Sequence, residues 1–239
     1  MILTSTQVAG RHLEPRFVAV CAWLAALLPL AALVAFVAAY RFDVGRLADL
    51  PSVVGDRGAV PTLRLGGLLD MAAYLAIAPV VIDLHRRLRD RAPDLLSLAT
   101  FAGLAYLVLG SVGGTIFATV GPALVEDGSE VARTIFAAFA TLVTVTLWGT
   151  LESIFLGVWL IGIGVVFRPE RAAFGTLTIA AGVGALLSAA RSGITGQSVA
   201  DLAGPLDVLV VGLLGLYVPW LLWLGVLLYR RQLSQSTAS

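Results

Sequence analysis

Stretches without charge recur along the chain at lengths that match a bilayer. Phe17–Tyr40, Leu95–Val125, Thr134–Leu151 followed by Ser153–Phe167, Ala172–Ala190 and Val208–Tyr229 contain no ionised side chain. A helix needs about 20 predominantly apolar residues to cross the hydrocarbon core. Lipid offers no hydrogen-bond partner to the backbone, so helices are the expected solution. The pattern predicts six of them, over residues 17–40, 65–85, 96–121, 132–167, 172–191 and 207–229. The second is the least obvious, because Asp70 and Asp83 bracket only a short uncharged core. The fourth would run roughly 54 Å at helical rise, longer than the membrane is thick. With no proline or charged turn to divide it, one long helix is the reading; a division near Gly149 would give seven spans. The expected fold class is therefore all-α, a polytopic integral membrane helical bundle. Residues 1–16 form an N-terminal segment, 17–229 a single transmembrane bundle with a polar loop at 41–64, and 230–239 a tail.

Loop charge orients the bundle. All 16 basic residues are arginine. If the N-terminus lies inside, ten of them fall on the cytoplasmic side, including Arg86, Arg87, Arg89 and Arg91 in one tight loop. The other six, Arg41, Arg46, Arg57, Arg64, Arg133 and Arg191, fall outside with Glu126, Asp127 and Glu130. This follows the positive-inside rule, with both termini cytoplasmic. The 24-residue run after Arg16 exceeds the apolar core of a cleavable signal and reads as a retained anchor. The 41–64 and 191–206 loops are the longest polar segments outside, read as connectors before recognition surfaces.

Composition agrees and removes several chemistries. Hydrophobic residues reach 59% and charged ones only 13%, about half the share usual in soluble domains. The net charge of +1 gives no bias towards nucleic acid. The absence of lysine excludes a Schiff base. The single cysteine, Cys21, excludes thiol pairs and reads as a packing residue. His12 and His85 lie at membrane edges, where they cannot clamp a haem between helices. No HExxH or phosphate-binding loop is present. An enzyme is therefore the last expectation, and no cofactor or metal is assigned.

Glu152 is the leading candidate, within LWGTLESIFLGVW of the fourth helix. A carboxylate in hydrocarbon costs at least about 2.5 kcal/mol, so it must face the bundle interior, pair or hold a proton. Thr141, Thr144 and Trp148 share its helical face. Two readings stand side by side: a ligand, ion or proton site, and an interhelical hydrogen bond that sets packing. Asp70, with Tyr74 one turn further in, and Arg191 lie on the outer side. With Glu152 they could line one outward-opening polar cavity, Arg191 acting as carboxylate partner. Otherwise Asp70, Arg191 and Asp207 are interfacial residues touching water.

Asp83, His85 and Arg87 read as a solvated helix end. Pro29, Pro79 and Pro219 fall inside predicted helices and free the carbonyls of Ala25, Leu75 and Gly215. Gly110, Gly114, Gly162, Gly164, Gly182 and Gly184 read as sites of close helix approach, and Trp220, Trp223 and Tyr229 as an inner aromatic belt.

RLGGLLDMAAYLAIAPVVIDLHRRLRDRAPDLLSLATFAGLAYLVLG (Arg64–Gly110) and LWGTLESIFLGVWLIGIGVVFRPERAAFGTLTIAAGVGALL (Leu147–Leu187) resemble a bacterial family of multi-pass membrane proteins known as domain of unknown function 4386. The resemblance covers most of residues 15–230 through hydropathy and loop rhythm. It implies a small multi-helix membrane protein and brings no activity. The acidic 122–133 turn and the 41–64 loop are less typical of it. Expected partners are the lipid bilayer, a small-molecule or lipid ligand in the outward pocket, and a membrane protein complex. A small ion- or proton-coupled permease using Glu152 is the alternative; a structural subunit of a larger assembly is a third.

Overall fold

The structure is a computed structural model. It describes residues 13–43, 45–46, 49–196 and 205–236, with side chains undescribed at 205–207 and 231–236. Among the described residues there is no strand. The chain runs through α1 (Pro15–Ala39), α2 (Val60–Leu88), α3 (Pro93–Asp127), α4 (Glu130–Phe167), α5 (Ala172–Thr195), α6 (Pro205–Gly215) and α7 (Tyr217–Ser236). Six segments are long and apolar enough to span a membrane, the sixth being Val208–Arg230 across α6 and α7.

Local chemistry places the ends. Proline occupies the first turn of α1, α2 and α3, where its missing N–H costs nothing and its φ is already helical. Gly128 and Gly196, both left-handed, end α3 and α5. The Ser129 hydroxyl then accepts the Ala132 N–H at 3.0 Å, capping α4 after a minimal turn. No division occurs at Gly149, so α4 is the single long helix expected. Its middle, Leu142–Glu152, is a π-helix. Helices α1 and α2 pass unbroken through Pro29 and Pro79. The sixth span does break. Leu216 is a turn between α6 and α7, three residues before Pro219, whose missing N–H leaves the Gly215 carbonyl without its helical donor.

Each helix packs beside its neighbours in sequence, and α7 returns against α1 to close the ring. The ring encloses aromatic residues from five helices: Tyr74, Tyr106, Trp159, Phe174 and Trp220. The outside is oily. Phe101 is 64% exposed and Val108 62%, the inverse of a water-soluble surface and suited to lipid. The chain is a multi-pass membrane protein.

Glycines let the helices meet. A Cβ on Gly67 of α2 would fall 2.5 Å from the backbone nitrogen of Ala118 in α3. Gly164 and Gly182 of α4 and α5 meet the carbonyls of Gly175 and Gly157 in the same way. Such small-residue faces replace the hydrophobic effect, which lipid does not supply between helices. Gly110 differs from the others: it makes room for the Tyr74 ring.

Two expectations are corrected. Asp83 and Arg87 are not a solvated helix end. Asp83 is 0% exposed and holds Arg87 Nε, because Leu84 and Leu88 around it pack into a core shared with Leu224 and Leu228 of α7. Trp220 is not in an interfacial belt. It is fully buried, stacked on Tyr217 and edge-on to Trp159, while Trp223 and Tyr229 reach the surface.

The 41–64 loop folds over its end of the bundle instead of hanging free. Two short 3-10 turns, Leu50–Val53 and Arg57–Ala59, seat Val53 and Val54 against Val125 and Phe136. Gly55 (φ 93°) and Gly128 (φ 68°) adjoin each other in the left-handed region that disfavours a side chain, and a Cβ on Gly128 would come within 3.3 Å of Gly55 Cα. Arg41 and Arg46 both reach Asp56, at 2.8 and 3.3 Å. The 191–206 loop begins later than expected, because α5 continues to Thr195, and residues 197–204 lie outside the described residues.

Gly67→Ala should force α2 from α3 and destabilise the protein by about 1–3 kcal/mol, read as a lower Tm in detergent. A second test concerns Asp56. Partial burial disfavours its charge, but hydrogen bonds and charge from Arg46 and Arg41 prevail and hold its carboxyl below the usual range. Its contribution is therefore complete above the ordinary aspartate value of about 3.9 and fades as pH falls through the depressed folded-state value. Proteolysis within 41–59 should quicken on acidification below about pH 4, and Asp56→Asn should remove most of that dependence.

Candidate functional site

A polar cluster lies inside the ring, built from α2, α3, α4 and α7. The Tyr74 hydroxyl of α2 donates to Glu152 Oε1 of α4 at 2.7 Å. Glu152 and Tyr74 are each only 8% exposed. The bond spans the bundle between helices that are not sequence neighbours. Among the described residues, the other carboxyl oxygen, Glu152 Oε2, is buried with no partner, and so is Asp70 Oδ2, one turn before Tyr74. Asp70 stands over Gly114, where a Cβ would come within 3.0 Å of Oδ2. Among the described residues, neither carboxyl takes part in an ion pair.

From Tyr74 a chain of aromatic rings continues across the core. Tyr74 meets Tyr106 edge to face at 5.3 Å. The Tyr106 hydroxyl donates to that of Tyr217 at 3.3 Å, and Tyr106 stacks on Trp159 at 6.3 Å.

The π-helix shapes the α4 wall. A turn closed by i→i+5 bonds is wide and rare, and such turns concentrate at functional sites. Two hydroxyls follow its wider period: Thr150 Oγ1 donates to the Val145 carbonyl at 2.8 Å, and Ser153 Oγ to that of Trp148 at 2.9 Å. Trp148 lies against α3, with its Nε1 2.2 Å from where a Cβ on Gly113 would stand, and stacks on Phe117 at 5.2 Å. Its Nε1–H is buried without an acceptor. Gly149 admits Ser192 of α5, whose Oγ also lacks a partner.

Of the residues expected together, Glu152, Tyr74 and Asp70 do converge. Trp148 closes the same wall on the α3 side. Thr144 turns its hydroxyl back to the Ala140 carbonyl at 2.8 Å and presents no free proton. Arg191 is half-buried near the end of α5 and forms no ion pair with Glu152 or Asp70. The side chain of Asp207 lies outside the described residues. Tyr106 and Tyr217 are not singled out by the sequence, and Ser192, which the sequence puts in the polar 191–206 loop, is instead buried in α5. The two tyrosines carried a signal: a phenol deep in an apolar span needs a partner for its hydroxyl.

The chemistry on offer is simple. Two carboxyls present buried acceptors, one of them held by a phenol, beside an indole N–H and a serine hydroxyl with no partner. Among the described residues no three metal-ligating side chains come together. Comparisons of the chain with protein-family models, curated proteins and solved structures give no match.

Gly110 and Tyr74 act on the same bond. A Cβ on Gly110 would fall into the Tyr74 ring, so Gly110→Ala must displace the phenol. Tyr74→Phe deletes the donor outright and leaves Glu152 Oε1 unsatisfied, a loss of about 1–3 kcal/mol. A double-mutant cycle read by thermal unfolding should show the pair to be non-additive, with a coupling energy of at least about 0.5 kcal/mol. Strict additivity would mean that the two residues do not share this contact.

Proposed function

We propose that this is a non-enzymatic protein of a bacterial cytoplasmic membrane, both ends facing the cell interior, that receives a small ligand at the Glu152–Tyr74–Asp70 site. The ligand is one that brings donors: a proton, or a small cation bearing N–H or O–H groups. The observation that carries this reading is the Tyr74–Glu152 hydrogen bond at 2.7 Å, which fixes the carboxyl while Glu152 Oε2 and Asp70 Oδ2 remain buried acceptors with no donor. Two acidic groups without an ion-pair partner in a membrane interior favour a positive or protic guest. The orientation rests on the arginine-rich end of the bundle, which carries Arg86, Arg87, Arg89, Arg91, Arg168, Arg171 and Arg230. The resemblance of Arg64–Gly110 and Leu147–Leu187 to the family of unknown function supports the membrane class and supplies no substrate.

A second reading, an ion- or proton-coupled permease, is favoured by the π-helix beside Glu152 and the break at Leu216 in the last span. Both are irregular backbone inside a membrane protein, where such features accompany binding sites and moving parts. A scaffold role in a larger assembly is less favoured, because Gly67, Gly114, Gly157, Gly164 and Gly182 already meet helices of this same chain.

The test is a thermal-shift screen of full-length protein in detergent against sodium, potassium, methylammonium, ethanolamine and choline across a pH series. Protonation or at least one of methylammonium, ethanolamine and choline should raise Tm, with sodium and potassium as the donor-free controls. Glu152→Gln, which keeps shape and a hydrogen-bond acceptor for Tyr74, should fold and abolish that shift. If no cation or pH moves the wild-type Tm, or if Glu152→Gln responds like wild type, the reading fails. The permease reading adds one requirement: cation or proton flux in proteoliposomes that the same variant abolishes.

A further inference from the structure

At the opposite end of the bundle from the 41–64 loop, three arginines converge on a cavity between α2, α7 and the α4–α5 turn. Arg87, Arg91 and Arg171 form its polar side, and Leu84, Phe167 and Leu228 are among its apolar walls. The cavity encloses about 40 Å³ and opens outward. Asp83 holds Arg87 through Nε, and Glu170 pairs with Arg91 at 3.0 Å. Arg171 has no ion-pair partner among the described residues. Two carboxylates against three guanidiniums leave one positive charge uncompensated.

These arginines do more than satisfy loop-charge bias, for which solvated side chains would suffice. The Arg87 side chain is 19% exposed, and its Nη2 is buried with no acceptor. Asp83, its partner, is fully buried, and its Oδ1 likewise has no hydrogen bond among the described residues, so the pair anchors the guanidinium through Nε. A positioned guanidinium with a spare N–H fork matches the oxygens of a phosphate. The leucines and phenylalanine beside it match an acyl chain. Both halves sit where a membrane-spanning helix ends, the depth at which phospholipid headgroups lie.

We propose that this cavity binds the phosphate of an anionic phospholipid, with Arg87 and Arg171 on the phosphate oxygens and an acyl chain along Leu84 and Leu228. The site is separate from the Glu152 cluster and does not depend on the function proposed for it. The excess positive charge selects a net anionic headgroup over a zwitterionic one, whose ammonium would meet a positive rim.

The test uses the full chain in neutral detergent, titrated with phosphatidylglycerol, with phosphatidylcholine of the same acyl chains, and with inorganic phosphate, reading bound lipid by native mass spectrometry and Tm alongside. Phosphatidylglycerol should bind at least several-fold tighter than phosphatidylcholine. Arg171→Gln, which breaks no ion pair and should fold normally, should lower phosphatidylglycerol affinity by roughly fivefold. Glu152→Gln should bind phosphatidylglycerol like wild type. Equal binding of the two lipids, or an Arg171→Gln variant that binds phosphatidylglycerol as wild type does, would overturn the proposal. Inorganic phosphate that displaces the lipid and reproduces its whole stabilisation would assign the cavity to a free phosphate and overturn the lipid assignment.

Discussion

A bilayer offers no hydrogen-bond partner to a buried polar atom, so the protein has to supply every one from its own helices. The Tyr74–Glu152 bond is where that constraint is met most sharply. It joins α2 to α4 across the bundle at 2.7 Å. Several separate features serve it: Gly110 clears space for the tyrosine ring, the π-helix sets the α4 backbone that carries Glu152, and Tyr106 buttresses the ring from α3. Remove the constraint and there is no reason for a glycine, a widened helix and a stack of rings to meet at one depth.

The same constraint is handled in different ways elsewhere. In the spans, several threonine hydroxyls return to the carbonyl four residues back, as Thr119, Thr141 and Thr178 do, and so need no partner from a neighbouring helix. At the arginine-rich end Asp83 and Arg87 are buried together as an ion pair. At the other end polar groups are returned to water, and the 41–64 loop lies as a lid of apolar contacts and Asp56 ion pairs over the helix ends. Among the described residues, only the Glu152 cluster and the surroundings of Arg87 leave polar atoms buried and unanswered, apart from isolated indole and serine groups. Those two places are where ligands of opposite charge are proposed.

Much of the fold was legible in residue order. The six spans, the single long α4 and the packing role of Gly114, Gly164 and Gly182 follow from charge-free length and small-residue spacing, which are one-dimensional properties. Glu152, Asp70 and Tyr74 stood out because polar groups in an apolar run are rare and costly. The errors came from residues whose setting depends on a distant helix. Asp83 and Arg87 look like a water-facing pair until α7 is laid against them. Trp220 looks like a belt residue until Phe174 and Trp159 close around it. Thr144 shares the face of Glu152 on paper, yet its hydroxyl is satisfied within its own helix.

Residue order by itself determined that this chain crosses a membrane as helices, how many times, and which carboxyl is out of place there, because the cost of charge and bare backbone in lipid acts on each segment alone. Which groups meet was decided only by tertiary structure. Tyr74 and Glu152 are separated by 78 positions, and Tyr106 and Tyr217 by 111. Their contact depends on the rotation of each helix about its axis and the distance between helices, and those are set by glycine contacts and by a π-helical turn whose effects appear only once the helices pack together.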